Sequence, residues 1–300
     1  MMRVRAALLV VVLFATACGG PAMGSAERAA NADDEVLAEQ AEADGQQITE
    51  ATIEAVAELA STLDNARYEY FQFAQWPDGA TSGSEDVPLA RGERSPTGER
   101  LTAELGVNSA FAAEHGTDTR MNVLDADGLV CMNVPFYKRL VDEAGADADV
   151  AWMVPLIDGW GCLNEDDVAN AAGVPSAALD LGDQNLYLRM AEVLRSARIE
   201  STQPASFRGA PVTEVTVTLD PLSVARRFER PLDEVASGTA TLLFADSDDR
   251  LVQVTATIEL NPGPTVTERL EIYGRGTVEP VELPEGATDI TEPISRVLAD

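Results

Sequence analysis

Residues 238–281 read GTATLLFADSDDRLVQVTATIELNPGPTVTERLEIYGRGTVEPV, and this stretch decides the fold. Between residues 250 and 260 apolar and polar side chains alternate, which is the period of two expected for a strand with one buried and one exposed face. A shorter alternating run lies on each side. The breaks at residues 246–249 and 261–264 have the composition of tight turns. The stretch therefore predicts three consecutive antiparallel strands.

One face of these strands is expected to be apolar and covered. The residues that we expect on it are Leu242, Phe244, Val252, Val254, Ile258, Leu270 and Ile272. Alternation alone does not distinguish side chains that contact covering helices from side chains that contact a bound molecule. A filled core and a ligand cavity therefore both stay open at this point.

The rest of the chain predicts more strands and two helices that are apolar enough to cover a sheet. These helices span residues 49–64, with Thr49 as N-cap, and residues 184–197. The strongest turn signal is Asp125-Ala-Asp-Gly128, which is typical of a hairpin. Further strands are predicted at residues 67–75, 101–105, 120–124, 129–134 and 211–219, and shorter helices after Pro135, Asn164 and Asp220. This is an α+β pattern.

The charge of the chain limits its partners. Its formal net charge is −30 at pH 7. Electrostatic binding to nucleic acid or to an anionic membrane surface is therefore not expected, because both carry the same sign of charge. High solubility is the expected consequence of this charge.

The first residues have the organisation of an export signal. A short basic segment with two arginines precedes an apolar run at residues 6–15, which is too short to span a bilayer comfortably. The sequence Ala15-Thr-Ala-Cys18 that follows resembles the lipobox of bacterial lipoproteins, in which the cysteine thiol becomes diacylglyceryl-modified. Two or three acyl chains would provide a stable anchor. The alternative is an ordinary secretory signal cut near Ala17 or Ala22.

These signals divide the chain into four parts. Residues 1–17 are predicted to be a signal peptide and residues 18–48 a flexible acidic tether, since they contain few large apolar side chains. Residues 49–284 are predicted to form one domain, because no change in composition splits them. Residues 285–300 are expected to be a loosely held tail.

Two cysteines remain besides Cys18. Outside the cytoplasm an even pair indicates a disulfide, so we expect Cys131 and Cys162 to be joined. Two buried free thiols are the alternative.

The sequence contains no pattern that points to catalysis. Its one histidine, His115, stands in a polar segment, and neither a nucleophile motif nor a phosphate-binding glycine loop is present. Asp125 and Asp127 make only a fragment of a calcium loop. The many carboxylates leave an acid pair for glycoside hydrolysis open, although most must form a solvated acidic surface. We therefore expect no enzyme activity, no metal and no cofactor.

Several motifs occur in an order that resembles a known group of proteins. They are the turn Asp125-Ala-Asp-Gly128, the hairpin Asp246-Ser-Asp-Asp-Arg-Leu-Val, and the ending Tyr273-Gly-Arg-Gly-Thr-Val-Glu-Pro-Val-Glu-Leu-Pro. Together with the lipobox, this set is similar to actinobacterial LppX/LprAFG-type lipoproteins and to the wider LolA-like group. The resemblance covers residues 49–284. The chain departs from the group in having longer connections between strands and the cysteine pair.

The resemblance implies a strongly curved antiparallel sheet, or half-barrel, with helices covering its concave face and an apolar cavity between them. It implies a lipoprotein anchored by Cys18 at the extracytoplasmic face of the cell membrane. Such a protein would bind a lipid or another apolar molecule for envelope lipid transport or assembly. The alternative is a sensor or regulatory lipoprotein that contacts a membrane protein partner and holds no lipid. A purely structural surface lipoprotein is a third reading.

Overall fold

The computed structural model of the chain describes residues 65–107, 119–144, 152–172, 194, 197–227, 230–248 and 250–299. The predicted helix at residues 49–64 lies outside this part of the chain, and so does the helix at 184–197 except for Leu194 and Ala197, which are both buried. The signal peptide, the tether with Cys18, and His115 also lie outside it.

The described residues form one sheet of thirteen strands. They are β1 (Ala66–Gln75), β2 (Thr81–Ser84), β3 (Ala90–Ser95), β4 (Gly98–Glu104), β5 (Arg120–Ala126), β6 (Leu129–Asn133), β7 (Gly161–Leu163), β8 (Arg198–Phe207), β9 (Ala210–Thr218), β10 (Val235–Ala245), β11 (Leu251–Leu260), β12 (Thr265–Tyr273) and β13 (Thr288–Asp289). The strand order is β13-β7-β6-β5-β4-β3-β1-β12-β11-β10-β9-β8, with β2 paired to β1 beside this path.

The sheet is open, curved and almost wholly antiparallel, which confirms the predicted fold class. Only the pair β13–β7 is parallel. The curvature is seen in an ion pair between distant strands. Arg208 lies in the turn between β8 and β9 and donates from Nη2 to Glu271 Oε2 on β12 at 2.5 Å. Its guanidinium also lies 5.4 Å from the ring centre of Phe207 and 5.5 Å from that of Tyr273. A turn at the edge of a flat sheet would not reach a strand three positions away.

Five short α-helices accompany the sheet in the described part of the chain: α1 (Tyr137–Ala144), α2 (Val154–Asp158), α3 (Glu165–Ala172), α4 (Pro221–Arg227) and α5 (Thr291–Ala299). Two single-turn 3-10 helices span Leu105–Val107 and Leu232–Glu234. The predicted caps are present at two of them. Asn164 Oδ1 accepts from the Asp167 amide at 3.0 Å, and Asp220 Oδ2 accepts from the Ser223 amide at 2.9 Å. No helix among the described residues has the length and apolar character needed to cross a membrane.

Two turns show why their sequences form hairpins. Asp127 and Gly128, between β5 and β6, have φ of 55° and 75°, and Arg208 and Gly209, between β8 and β9, have φ of 52° and 81°. Two consecutive residues with positive φ suit the twist of a two-residue hairpin. The first turn was predicted from the sequence. The second was not, because β8 itself was not recognised.

Apolar side chains form two clusters, one on each face of the sheet. We call the face with the larger cluster the inner face and the opposite one the outer face. The outer cluster contains the predicted disulfide, which joins Cys131 on β6 to Cys162 directly opposite on β7, with 4.0 Å between their Cα atoms. The segment after β12 covers it through Val281, whose amide is held by Ser95 Oγ and Thr97 Oγ1 at 3.2 and 3.0 Å.

The C-terminal segment corrects one prediction. Residues 285–300 were expected to be a loosely held tail, but β13 pairs with β7, and α5 packs against α3. Ile290 and Ile294 are buried in the inner cluster with exposures of 1% and 2%. Their spacing of four places both on one side of the chain end, and Gly161 makes room, since a Cβ there would lie 3.1 Å from Ile290 Cδ1. Two apolar residues among polar ones gave too weak a pattern to recognise.

Because Ile294 is buried, the substitution Ile294→Ala should lower the free energy of unfolding by about 2–4 kcal/mol, through lost burial and a residual cavity. Arg296→Ala, at an exposed position on the same helix, is the control and should change it by no more than about 0.5 kcal/mol. Urea denaturation followed by circular dichroism measures both. Equal stability of the two variants would show that the segment does not contribute to the folded domain.

Candidate functional site

The inner face is built by the register of the strands. Cross-strand neighbours align in rows that run across the sheet, and one row contains Val215, Leu242, Val254, Leu270 and Tyr70, contributed by β9, β10, β11, β12 and β1. All five side chains are buried. Because alternate residues of each strand point the same way, the neighbouring rows extend this apolar surface along the strands.

The structure places the seven predicted ligand-contacting residues as follows. Those buried within the inner cluster are Leu242, Val254, Ile258, Leu270 and Ile272, and Phe244 packs against that cluster while partly buried. Val252 is half-buried and is not part of it. These positions establish a shared apolar face, and contact with a ligand stays a proposal.

A β-bulge explains the different position of Val252. Leu243 pairs with Gln253 and Phe244 pairs with Leu251, so Val252 has no partner in the register of β10 and β11. The extra residue shifts the alternation by one, and Leu251 takes the inner position with an exposure of 0%. Alternation in the sequence continues through this point, so it carried no signal for the bulge.

The next row has a different chemical character. It contains Val217, Ala240, Ala256, Glu268 and Gln72, so small side chains lead to a polar pair on β12 and β1. Glu268 is only 3% exposed, and Gln72 Nε2 donates to its Oε1 at 3.2 Å. A buried carboxylate requires such hydrogen bonds, because desolvation of the charge is costly. The pair brings a polar contact to the apolar surface formed by β9 to β12 and β1.

A second polar group lies on the inner face, near the β3–β4 and β5–β6 turns. Arg94, Glu99 and Asp125 are neighbours in one row across β3, β4 and β5. Tyr68 on β1 donates from its hydroxyl to Glu99 Oε1, and Arg94 Nη1 lies 3.7 Å from Glu99 Oε2. The Tyr68 ring covers Gly92, where an added Cβ would lie 2.1 Å from Tyr68 Cζ. Glycine is therefore required opposite the tyrosine.

Burial and neighbouring charges shift the pKa values of Tyr68 and Asp125 in this group. Burial, reinforced by the Glu99 carboxylate, raises the pKa of Tyr68 well above 10.0. Burial also raises the pKa of Asp125, and Arg94 opposes that rise. The Tyr68 phenol thus stays protonated at neutral pH and acts as a hydrogen-bond donor. None of the described interactions gives it an acidic or nucleophilic role.

Aromatic side chains gather where α1 and α2 meet β6. Tyr137 and Trp152 contact edge to face, with ring centres 6.1 Å apart, and both are buried in the inner cluster. Asn133 fixes α2 by donating from Nδ2 to the carbonyl oxygens of Leu156 and Gly159, at 3.1 and 2.6 Å. This aromatic corner was not predicted as functional, because the sequence showed only an apolar run that contains a tryptophan.

Candidate metal ligands are scattered in the part of the chain that the structure describes. There, no three or more His, Cys, Asp or Glu side chains come together in a group that could hold a metal ion. Asp125 and Asp127 belong to the β5–β6 hairpin, in which Asp125 is half-buried on the inner face and Asp127 is exposed in the turn.

No protein-family model matches the chain, and no curated protein matches it. Among solved structures, it is similar to the lipoprotein LppX of Mycobacterium tuberculosis, with 11% identity, a TM-score of 0.38, and coverage of 78% of this chain and 97% of that one. It is also similar to LprF from Mycobacterium bovis, with 13% identity, a TM-score of 0.35, and coverage of 81% and 100%.

A third similar structure is MucB in complex with MucA(peri), with 12% identity, a TM-score of 0.32, and coverage of 78% of this chain and 60% of that one. LppX is a lipoprotein of the type that the sequence motifs resemble.

The hydrogen bond from Tyr68 to Glu99 should be visible in stability and in its pH dependence. Tyr68→Phe removes the donor and should lower the free energy of unfolding by about 1–2 kcal/mol at pH 7. The folded pKa of Tyr68 is raised, so its stabilisation is complete below pH 10 and is lost as pH rises through the folded value. Above pH 10 the wild type should therefore lose stability more steeply than Tyr68→Phe.

Urea denaturation at pH 7 to 11 provides this measurement. Tyr273→Phe is the matched control, because this phenol is half-buried and phenylalanine keeps the ring that Arg208 contacts. It should change stability at pH 7 by no more than about 0.5 kcal/mol. If Tyr68→Phe matched the wild type both in stability and in slope above pH 10, the bond to Glu99 would have no energetic role.

Proposed function

We propose that this chain is a membrane-anchored, extracytoplasmic lipoprotein that binds a lipid or another apolar molecule against the inner face of its sheet. The observation that supports this function is the extent of that face. A single apolar cluster includes residues from β9 at one side to β7 at the other, on an open and curved sheet. An apolar surface with a few polar groups matches the usual lining of a small-molecule site.

The energetics favour a ligand with long apolar chains. Each buried methylene contributes about 0.8 kcal/mol. About a dozen methylenes would contribute roughly 10 kcal/mol, whereas the loss of translational and rotational freedom costs roughly 4–15 kcal/mol. A short apolar molecule would therefore bind weakly, and a molecule with one or more long acyl chains would bind well. Burial of the ligand's apolar surface supplies this affinity, so the proposed binding requires no catalytic residue.

The row of small side chains gives the proposed ligand a position. Ala240 and Ala256 are a cross-strand pair of small side chains on β10 and β11, in the same row as the polar pair of Gln72 and Glu268. Acyl chains placed over Ala256 would lie between the larger side chains of Val254 and Ile258 on the same strand. The ligand in this proposal takes part in envelope lipid transport or assembly.

Lipid extraction from the natively purified soluble domain tests the binding. We expect mass spectrometry to find a long-chain lipid in near-stoichiometric amount. Ala256→Phe should reduce the lipid several-fold, because a phenyl ring would project into the position that we propose for the acyl chains. Thr257→Phe, at the next residue on the outer face, is the control and should retain the lipid. An empty wild-type protein that co-purifies with one membrane protein would contradict this function and support the sensor alternative.

The proposed anchor is tested separately at Cys18. Cys18→Ser removes the thiol that would carry the acyl chains, so the protein should move from the membrane fraction to the soluble fraction. The intact mass of the mature wild type should include the acyl groups, and Ser25→Ala in the tether should retain the same acyl groups. A wild-type mass that corresponds to an unmodified chain cut near Ala17 or Ala22 would instead identify an ordinary secretory signal.

A further inference from the structure

The indole nitrogen of Trp152 is a buried donor without an acceptor. Trp152 is 4% exposed, and its Nε1 has no hydrogen-bond partner among the residues that the structure describes. Arg269 Nε is in the same situation, but it lies 3.0 Å from Glu271 Oε1 and so has an electrostatic partner. Buried tryptophan N–H groups ordinarily have a partner, so the Trp152 donor requires an explanation.

Two carbonyl groups of the helix that follows Trp152 already have donors. The Leu156 oxygen accepts from the Val134 amide at 2.6 Å and from Asn133 Nδ2 at 3.1 Å. The Gly159 oxygen accepts from the same Asn133 side chain at 2.6 Å. These bonds hold the middle and the C-terminal end of α2 to β6. Trp152 precedes this helix and packs edge to face against Tyr137, and its indole N–H has no acceptor among the described residues.

We propose that Trp152 Nε1 donates a hydrogen bond to a neutral ester carbonyl oxygen of the bound lipid. This inference rests on the proposed function and specifies the ligand further. An indole nitrogen donates and does not accept, so the ligand must supply an acceptor. The contacting Tyr137, the Phe136 ring beside Tyr137, and the adjacent Met153 are buried and uncharged. Such surroundings disfavour a carboxylate or a phosphate, which would lose its hydration without a charged partner.

The site also defines how the ligand lies. Trp152 stands by α1, α2 and β6, and five strand-to-strand steps separate β6 from β12. At about 4.8 Å per step, the path along the sheet is roughly 24 Å. A lipid whose ester group is at Trp152 can extend long acyl chains across the inner face toward β12, and the alanines on β11 and β10 lie one and two steps beyond it. The ligand class is thus a long-chain neutral ester.

The test compares two probes that differ in the acceptor. Methyl palmitate carries an ester, and heptadecane has a chain of similar length without any oxygen. Full-length protein freed of lipid and labelled with ¹⁵N-tryptophan is titrated with each probe, and Trp152→Phe identifies the Trp152 indole signal. We expect methyl palmitate to shift this signal and heptadecane to bind without the same shift.

Binding constants supply the second readout. Trp152→Phe keeps an aromatic ring and removes the donor, so it should weaken methyl palmitate about fivefold, as expected for one hydrogen bond, and leave heptadecane unchanged. Trp160→Phe, in the outer cluster, is the matched control and should affect neither probe. If Trp152→Phe does not fold, the indole shift of the wild type decides alone, with Trp160→Phe and Trp76→Phe identifying its signal by elimination.

The outcomes of this experiment distinguish the Trp152 hydrogen bond from the proposed lipid binding on which it rests. If neither probe binds the wild type, both the proposed function and the role of Trp152 fail. If both probes bind and produce the same indole shift, or Trp152→Phe weakens both equally, lipid binding stands and the hydrogen bond does not. An indole signal that stays unchanged with bound methyl palmitate would point to an internal contact with the Tyr137 ring, and that result would overturn the inference.

Discussion

The pairing of β1 with β12 is the interaction on which the rest of this structure depends. It joins residues that are about two hundred positions apart, in an unbroken register from Arg67 with Tyr273 to Gln75 with Thr265. On one side of it lie β3 to β7, and on the other lie β8 to β11. Without this pairing, each half would be a smaller sheet with its inner face incompletely covered, because the larger apolar cluster draws on both halves. The continuity of the proposed ligand surface is therefore a consequence of one long-range strand pair.

Polar groups on the inner face are placed where they specify that register. Gln72 and Glu268 are direct cross-strand partners in the β1–β12 pair, and Tyr68 extends from the same strand to Glu99. A slip of one residue would turn every inner side chain outward and leave a carboxylate among apolar groups. On the outer face, Arg269 lies over the Phe71 ring at 4.0 Å, so both faces of the pair carry contacts that discriminate against the wrong register.

Strands were predicted correctly from the sequence where one face is buried and the other is exposed to solvent. In such strands apolar and polar residues alternate along the sequence. The strands from β9 to β12 belong to this class, and the Asp127-Gly128 turn and the caps at Asn164 and Asp220 were also predicted. β8 escaped prediction because an edge strand buries little on either face, and its sequence is mostly polar and contains Pro204. Among the predicted inner-face residues, Val252 differs because a bulge is set by the pairing of two strands and not by the local pattern. The buried indole nitrogen of Trp152 could be recognised only after the structure gave the positions of its neighbours.

The β7 end of the sheet is cross-linked covalently and by packing, and this suits one of the two kinds of contact that the proposed lipid would require. At the β7 end, the disulfide, the docked segment with Ile290 and the contact between α5 and α3 fix the strands. Trp152 stands near this end, and a hydrogen bond needs fixed geometry, because it weakens when its donor and acceptor are misaligned. Burial of acyl chains is non-directional and tolerates small displacements. In the proposed complex, the hydrogen-bond donor Trp152 therefore lies near the most cross-linked part of the sheet. The apolar rows of β9 to β12 need only stay packed together and excluded from water.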